Sequence, residues 1–459
     1  MVLANNIEGR GRQLLLPYAI YGAFAFLAMV LEKNDFFVAA GCVLLVAAAV
    51  MGLYFYKKDQ SLVSFRFLLS VFWTAGEGLG VMQLSNLQSS WTNQTWLSFG
   101  GFYLLFLAGY EAIEIYLSKR VIVLESKCQM SKKEVTKEQF QNRLFCCIRI
   151  VSLVTFATFE AVILGYVPLF SAETHAYDHF HISGVHYFTV SCMFTHSLTL
   201  IYMLMYTEKK KDRQPLKKGK LIQLIVYNAL SASIPILSVS KFQFVLTLAL
   251  PILIFLLMRP NVNKKKLFAM LGAASAVVIA AAVFMTIRRN YEPGYLNSIF
   301  QMKNENMPLF LQYAYMYIAN NYSNFNCLTQ ALQQGLVEHT FGLKQLFPVF
   351  ALTGLKFVFP ALVAFEMPVT IKELNTLTLI YDAYYDFGLI GVFLFGLILG
   401  AVCAALTQKI RKSSNPILYL FYAQLALYLA LSFFSSWFTV PTTWFWFALT
   451  GALYLYVKK

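Results

Sequence analysis

Apolar residues along this chain gather into runs of about 17–22 positions with few charges, the length that crosses hydrocarbon as helix. Such runs fall near 13–31, 36–56, 67–85, 96–117, 147–167, 185–206, 221–239, 242–258, 267–286, 387–407, 417–436 and 442–457. The pattern predicts an all-α polytopic membrane protein of about twelve spans, because a helix satisfies its backbone N–H and C=O groups internally where lipid offers them no partner. The seventh and eighth runs are short and separated only by Ser240 and Lys241. The stretch 346–366 is apolar too, but Pro348 and Pro360 interrupt it, which predicts a re-entrant or interfacial segment. Three regions follow: a transmembrane bundle over 1–286, a long extracytoplasmic loop with amphipathic or re-entrant helices over 287–386, and three last spans over 387–459.

Composition agrees, since 58% of the 459 residues are hydrophobic and only 13% charged, too few charges for an ordinary soluble enzyme. Gly9-Arg10-Gly11-Arg12 runs straight into the first apolar stretch, which reads as a retained span and not a secretory signal. Of the 37 lysines and arginines, all but Lys33, Lys241, Arg288, Arg289, Lys303, Lys344, Lys356 and Lys372 fall in alternate connections or at the termini. Basic residues in short connections resist translocation, so this one-sided alternation predicts an even number of spans with both termini cytoplasmic. Counting 346–366 as a full span would place Lys409, Arg411 and Lys412 on the wrong side. The net charge of +15 is thereby explained by topology and anionic headgroups, without nucleic acid as a partner. Seven cysteines, of which only Cys327 lies in the long outer loop, predict no disulfide framework.

Polar residues crowded at membrane depth or at one face are costly to keep there and therefore informative. Lys241 lies alone between two short spans, and Arg288-Arg289 stands where the ninth span emerges. The fifth–sixth loop holds Glu173, His175, Asp178, His179, His181 and His186. Its histidines suggest a metal, but their spacing matches no closed or catalytic zinc pattern, so solvated loop polarity is the expectation and no metal or cofactor is expected. The long loop carries Glu338-His339-Thr340-Phe341-Gly342 and then Tyr381, Asp382, Tyr384, Tyr385 and Asp386. Asp386 stands where the next span begins, a position that also suits an N-cap. Within the bilayer Glu77 is the costliest residue, at about 2.5–3.5 kcal/mol on insertion scales. Gly76, Gly78 and Gly80 around it permit close helix approach, which turns it toward the bundle. Glu111 and Glu114 read as interfacial polarity. Fixed cations suit a phosphate or diphosphate, and tyrosines 313, 315, 317, 322, 381, 384 and 385 offer flat faces and hydroxyls of the kind that hold sugars.

The segment SLVSFRFLLSVFWTAGEGLGVMQLSNLQSSWTNQTW from Ser61, YIANNYSNFNCL over 317–328, the His339-Thr340-Phe341-Gly342 element and DAYYDFGLIGVFLFGLILG over 382–400 together resemble bacterial oligosaccharide repeat-unit polymerases of the Wzy type, in order along most of the chain. The resemblance implies a GT-C-like bundle with one long outer loop in the bacterial cytoplasmic (inner) membrane. It implies a glycosyltransferase that joins undecaprenyl-diphosphate-linked oligosaccharides, without nucleotide sugar or metal, into O-antigen or capsule polysaccharide. A chain-length regulator and a flippase are the partners it implies beyond membrane lipids. On matching positions Arg288 and Arg289, with Lys241, would bind the diphosphate, and His339 would be the base, with Asp382 or Asp386 as fallback. Glu77, His175, His179, Tyr381 and Tyr385 would line the glycan vestibule. The fifth–sixth loop departs from the pattern, having no arginine where some relatives carry one, which raises Lys241, His175 and His179 as substitutes.

The rivals are a polysaccharide flippase or other transporter and a ligase that moves finished glycan to another acceptor. Nine short-looped spans followed by about a hundred residues of loop disfavour the paired halves usual in carriers.

Overall fold

Among the described residues every element of any length is a helix, as the demand for internally satisfied backbone groups requires. The computed structural model describes residues 2–124, 137–171, 181–207, 217–259, 272, 294–413 and 415–458. In chain order the helices are α1 (Val2–Lys33), α2 (Phe37–Asp59), α3 (Phe65–Val81), α4 (Asn93–Leu124), α5 (Lys137–Ala157), α6 (Glu160–Leu164), α7 (His186–Thr189), α8 (Met193–Thr207), α9 (Lys218–Leu237) and α10 (Lys241–Met258). Then follow α11 (Tyr295–Phe300), α12 (Leu309–Gln333), α13 (Leu343–Leu352), α14 (Leu355–Val358), α15 (Tyr381–Lys412), α16 (Ile417–Ala430) and α17 (Pro441–Lys458). Among the described residues seven segments are long and apolar enough to cross a membrane: Leu15–Lys33, Phe37–Asp59, Asn93–Leu117, Glu138–Phe170, His186–Met205, Lys218–Leu237 and Tyr381–Lys412. They coincide with seven of the twelve apolar runs. Four other runs form helices of 14 to 18 residues (α3, α10, α16 and α17), and 267–286 lies outside the described residues apart from 272. The protein is thus an all-α membrane protein.

Two compact units divide the chain, and both are discontinuous in sequence: 1–128 with 293–411 and 428–443, and 129–292 with 412–427 and 444–459. In the first, α3 is the buried centre. A Cβ on Gly78 would come within 2.9 Å of the Gly41 carbonyl of α2, so only glycine permits that approach. Gly76 and Gly80 lie under Tyr322 of α12, and a side chain at either would collide with its ring. Glu77 is accordingly turned inward, 2% exposed, and accepts from the Tyr21 hydroxyl at 3.1 Å on both oxygens. Glu111 and Glu114 are more than interfacial polarity. Lys58 pairs with Glu111 at 3.0 Å, and Arg66 joins Glu114 at 2.9 Å as well as Asp59.

Helix α12 lies within the expected outer loop, yet its Asn320, Asn321, Asn324 and Asn326 are all buried. Their amides bind backbone that has no helical partner of its own. Asn326 accepts from the Thr92 N–H (2.9 Å) and donates to the Ser90 carbonyl, while Asn324 donates to the carbonyls of Leu374 (2.7 Å) and Thr376 and accepts from the Thr370 N–H. Asn321 reaches the Phe433 carbonyl at 2.6 Å. One helix thereby staples three connections. The stretch 346–366 breaks into α13, α14 and a 3-10 turn at Pro360–Val363, each too short to cross hydrocarbon. The break falls at Gly354 (φ +78) and Phe359, whereas Pro348 stays inside α13.

In the second unit, buried Ser152, Thr195 and Ser231 join α5, α8 and α9, with Ser231 donating to Thr195 at 2.8 Å. The expected span 147–167 is interrupted. The Thr158 hydroxyl bonds back to the Val154 carbonyl, Phe159 is extended, and the chain restarts as α6 at Glu160.

Candidate functional site

The two motif loops singled out in the sequence meet. His339-Thr340-Phe341-Gly342 docks on the start of α15: Thr340 and Phe341 donate their N–H groups to the Tyr385 and Asp386 carbonyls at 3.3 Å each. The docking needs backbone that few residues adopt. Phe341 and Gly342 both lie at positive φ (+49 and +99), and α15 is broken at Phe387 and Gly388, the latter at φ +59, ψ −142, a region open essentially to glycine alone. Gly388 thus lets the chain turn beside the His339 ring, which a Cβ there would meet at 3.5 Å.

Asp386 organises this junction. It is fully buried, and Oδ1 accepts from the Thr340 hydroxyl (2.5 Å) and the Lys344 N–H (3.1 Å), while Oδ2 accepts from the Gln345 N–H (2.8 Å). Those amides are among the first of α13, which have no intrahelical partner. The cap expected for Asp386's own span is therefore corrected: it caps α13, 42 residues upstream at Lys344. A carboxylate so committed is an anchor, not an available base.

His339 is half-buried, and its Nδ1 lies 3.0 Å from the Tyr385 carbonyl. A carbonyl only accepts, so Nδ1 carries the proton and the lone pair resides on Nε2. This is its one hydrogen bond among the described residues. A neutral ring held in this way can accept a proton only at Nε2.

Lys344, which no sequence argument favoured, belongs to the same cluster. Its ammonium lies 4.0 Å from Asp382 and 5.0 Å from the ring centres of both Phe365 and Tyr385. Asp382 is buried and accepts from the Thr439 hydroxyl at 2.6 Å. A signal was present: Lys344 is one of the few basic residues away from the basic connections, five positions after His339. The asparagines of α12 were legible as an unusual polar run, but not as staples.

Other expected positions separate. Tyr381 and Tyr385 are buried, with hydroxyls donated to the Pro368 (2.8 Å) and Glu366 (3.0 Å) carbonyls, so they hold the 366–368 strand of backbone and present no open sugar platform. Tyr315, Tyr322 and Tyr384 are buried as well. Burial pushes the Tyr315 hydroxyl above its ordinary value and keeps it a donor to Gln88, at 2.7 Å. Glu77 is closed off by Tyr21 and faces no vestibule. Arg288, Arg289, His175 and His179 lie outside the described residues, and of Lys241 only the backbone, at the first position of α10, is described.

A second cluster lies in the other unit. Glu160 is fully buried; Oε1 accepts from the Ile182 N–H (2.8 Å), and Oε2 lies 3.1 Å from His186 Nδ1 and 3.8 Å from His181 Nδ1. The spacing argument over the loop histidines could not reach Glu160, which sits within an apolar run; an acid at that depth was itself a signal.

Fold and cluster together define an all-α membrane protein in which His339 and the lysine of a lysine–aspartate pair both contact Tyr385. No family model, curated protein or solved structure matches the chain.

Proposed function

We propose that the protein is a membrane glycosyltransferase of the GT-C type that polymerises undecaprenyl-diphosphate-linked oligosaccharide repeat units at the outer face of the bacterial cytoplasmic membrane. The observation that carries the reading is the docking of the His339 loop on Tyr385 and Asp386, which fixes the proton on Nδ1 and leaves Nε2 basic. An acceptor hydroxyl attacks the anomeric carbon of the donor, its proton passes to His339 Nε2, and the bond to undecaprenyl diphosphate breaks. The diphosphate is already a good leaving group, so the protein's work is positioning and charge stabilisation. Lys344 is the cation of the described cluster, and Arg288, Arg289 and Lys241 are assigned to the diphosphate on the sequence resemblance. The paired motif loops also support the order-based likeness to Wzy-type polymerases, since two of the four segments that carry it touch.

Purified protein incubated with its lipid-linked repeat unit tests this directly. A ladder of longer glycans is the expected product. Movement of the lipid across a bilayer without new glycosidic bonds would overturn it in favour of a flippase, and transfer to a different acceptor alone in favour of a ligase.

A further inference from the structure

We propose that Glu160, His181 and His186 form a binding site for one divalent transition-metal ion of the zinc type. One carboxylate oxygen and two imidazole nitrogens hold it, with a further coordination position open to water. The inference is independent of glycosyl transfer.

The geometry is close to that of a bound ion. The three ligand atoms lie within 4.8 Å of one another. Two ligands each about 2.05 Å from zinc at a tetrahedral angle stand about 3.3 Å apart. Glu160 Oε2 is 3.1 Å from one imidazole nitrogen and 3.8 Å from the other, on either side of that spacing. Both nitrogens converge on one oxygen, and at 3.8 Å the second contact is too long for a hydrogen bond.

The donor set selects the class of ion. Imidazole nitrogen with a carboxylate suits zinc and its first-row neighbours, whereas magnesium and calcium require mostly oxygen. A carboxylate and two histidines is also a set found at three-ligand zinc sites with an open position. Support for the ligands is in place: the Ile182 N–H holds Oε1 and so aims Oε2. Glu160 is the first residue of α6, fixed where α5 breaks, while His181 and His186 come from the far end of the connection. An ion here would pin that connection to the helix end.

The test uses the full-length protein in detergent, stripped with a chelator and titrated by calorimetry with Zn²⁺ and, separately, Mg²⁺. One zinc per chain is expected by elemental analysis, with no magnesium uptake and a raised thermal midpoint on zinc addition. His181→Ala, whose side chain is 36% exposed and therefore tolerant, His186→Ala and Glu160→Gln should each weaken zinc by about 10–100-fold or more. Each variant is first checked for a monodisperse peak and wild-type helicity. Absence of stoichiometric zinc in the wild type would overturn the proposal. So would variants that bind as tightly as the wild type, since the ion would then rest on other residues. The polymer ladder reports on the other site, so the two readings fail separately.

Discussion

Asp386 and Glu160 are both fully buried carboxylates at breaks in apolar helices, one in each compact unit, and they do different work. Asp386 accepts from two backbone N–H groups and a hydroxyl, donors that neither titrate nor bind metal, so its charge is spent on anchoring one loop to another. Glu160 gives one oxygen to a backbone N–H and turns the other to two imidazoles, groups that ligate metal ions. Burial alone therefore does not mark a reactive carboxylate. The partners of each oxygen do.

Five substitutions at four positions break or sharpen that contrast, beginning with the largest effect. His339→Ala should slow chain elongation by about 10²–10⁴-fold without lowering the thermal midpoint, because it removes a base whose ring is only half-buried. Elongation at the wild-type rate and equal expression would remove His339 from the chemistry. Asp386→Ala should cost about 2–3 kcal/mol in thermal or denaturant unfolding, as partly buried amides of α13 lose their acceptor. Asp386→Asn keeps one acceptor oxygen and should cost about 1 kcal/mol while retaining polymer. Loss of all polymer in Asp386→Asn at an unchanged midpoint would make the carboxylate a chemical participant and erase the contrast with Glu160.

Gly388→Ala should cost about 1–3 kcal/mol, since φ +59 with ψ −142 excludes a Cβ, and should slow elongation through displacement of His339. The Cβ would meet the ring only at ordinary contact distance, so a stability loss without any rate change would separate backbone strain from ring placement. Asn326→Ala should cost about 1–2 kcal/mol, because it strands the Thr92 N–H and the Ser90 carbonyl. Limited proteolysis within 85–92 reads it out, and a wild-type cleavage pattern would argue that α12 does not staple that connection.

Much of this architecture was legible before any coordinates. Seven apolar runs became helices long enough to span, and Glu77 faces inward on its glycine-flanked helix as insertion cost requires. The pairing of the His339 and Asp382–Asp386 segments was foreshadowed only by their shared place in one loop. Lys344 escaped because a lysine's role depends on what lies opposite it, here Asp382 at 4.0 Å and two ring faces. Tyr381 and Tyr385 misled for the converse reason. An aromatic pattern in a loop does not reveal that both hydroxyls close onto carbonyls 13 and 19 residues upstream.

Helix existence, approximate length and membrane embedding were determined by the sequence alone, because each follows from short-range rules. The hydrogen bonds of a helix run between residues four apart, and the length of an apolar run sets whether it can cross hydrocarbon. Which acid caps a helix, which nitrogen of His339 holds its proton and which histidines face Glu160 were decided only in the tertiary structure. Those assignments join atoms 42, 46 and about 21–26 residues apart along the chain, where no local periodicity connects them.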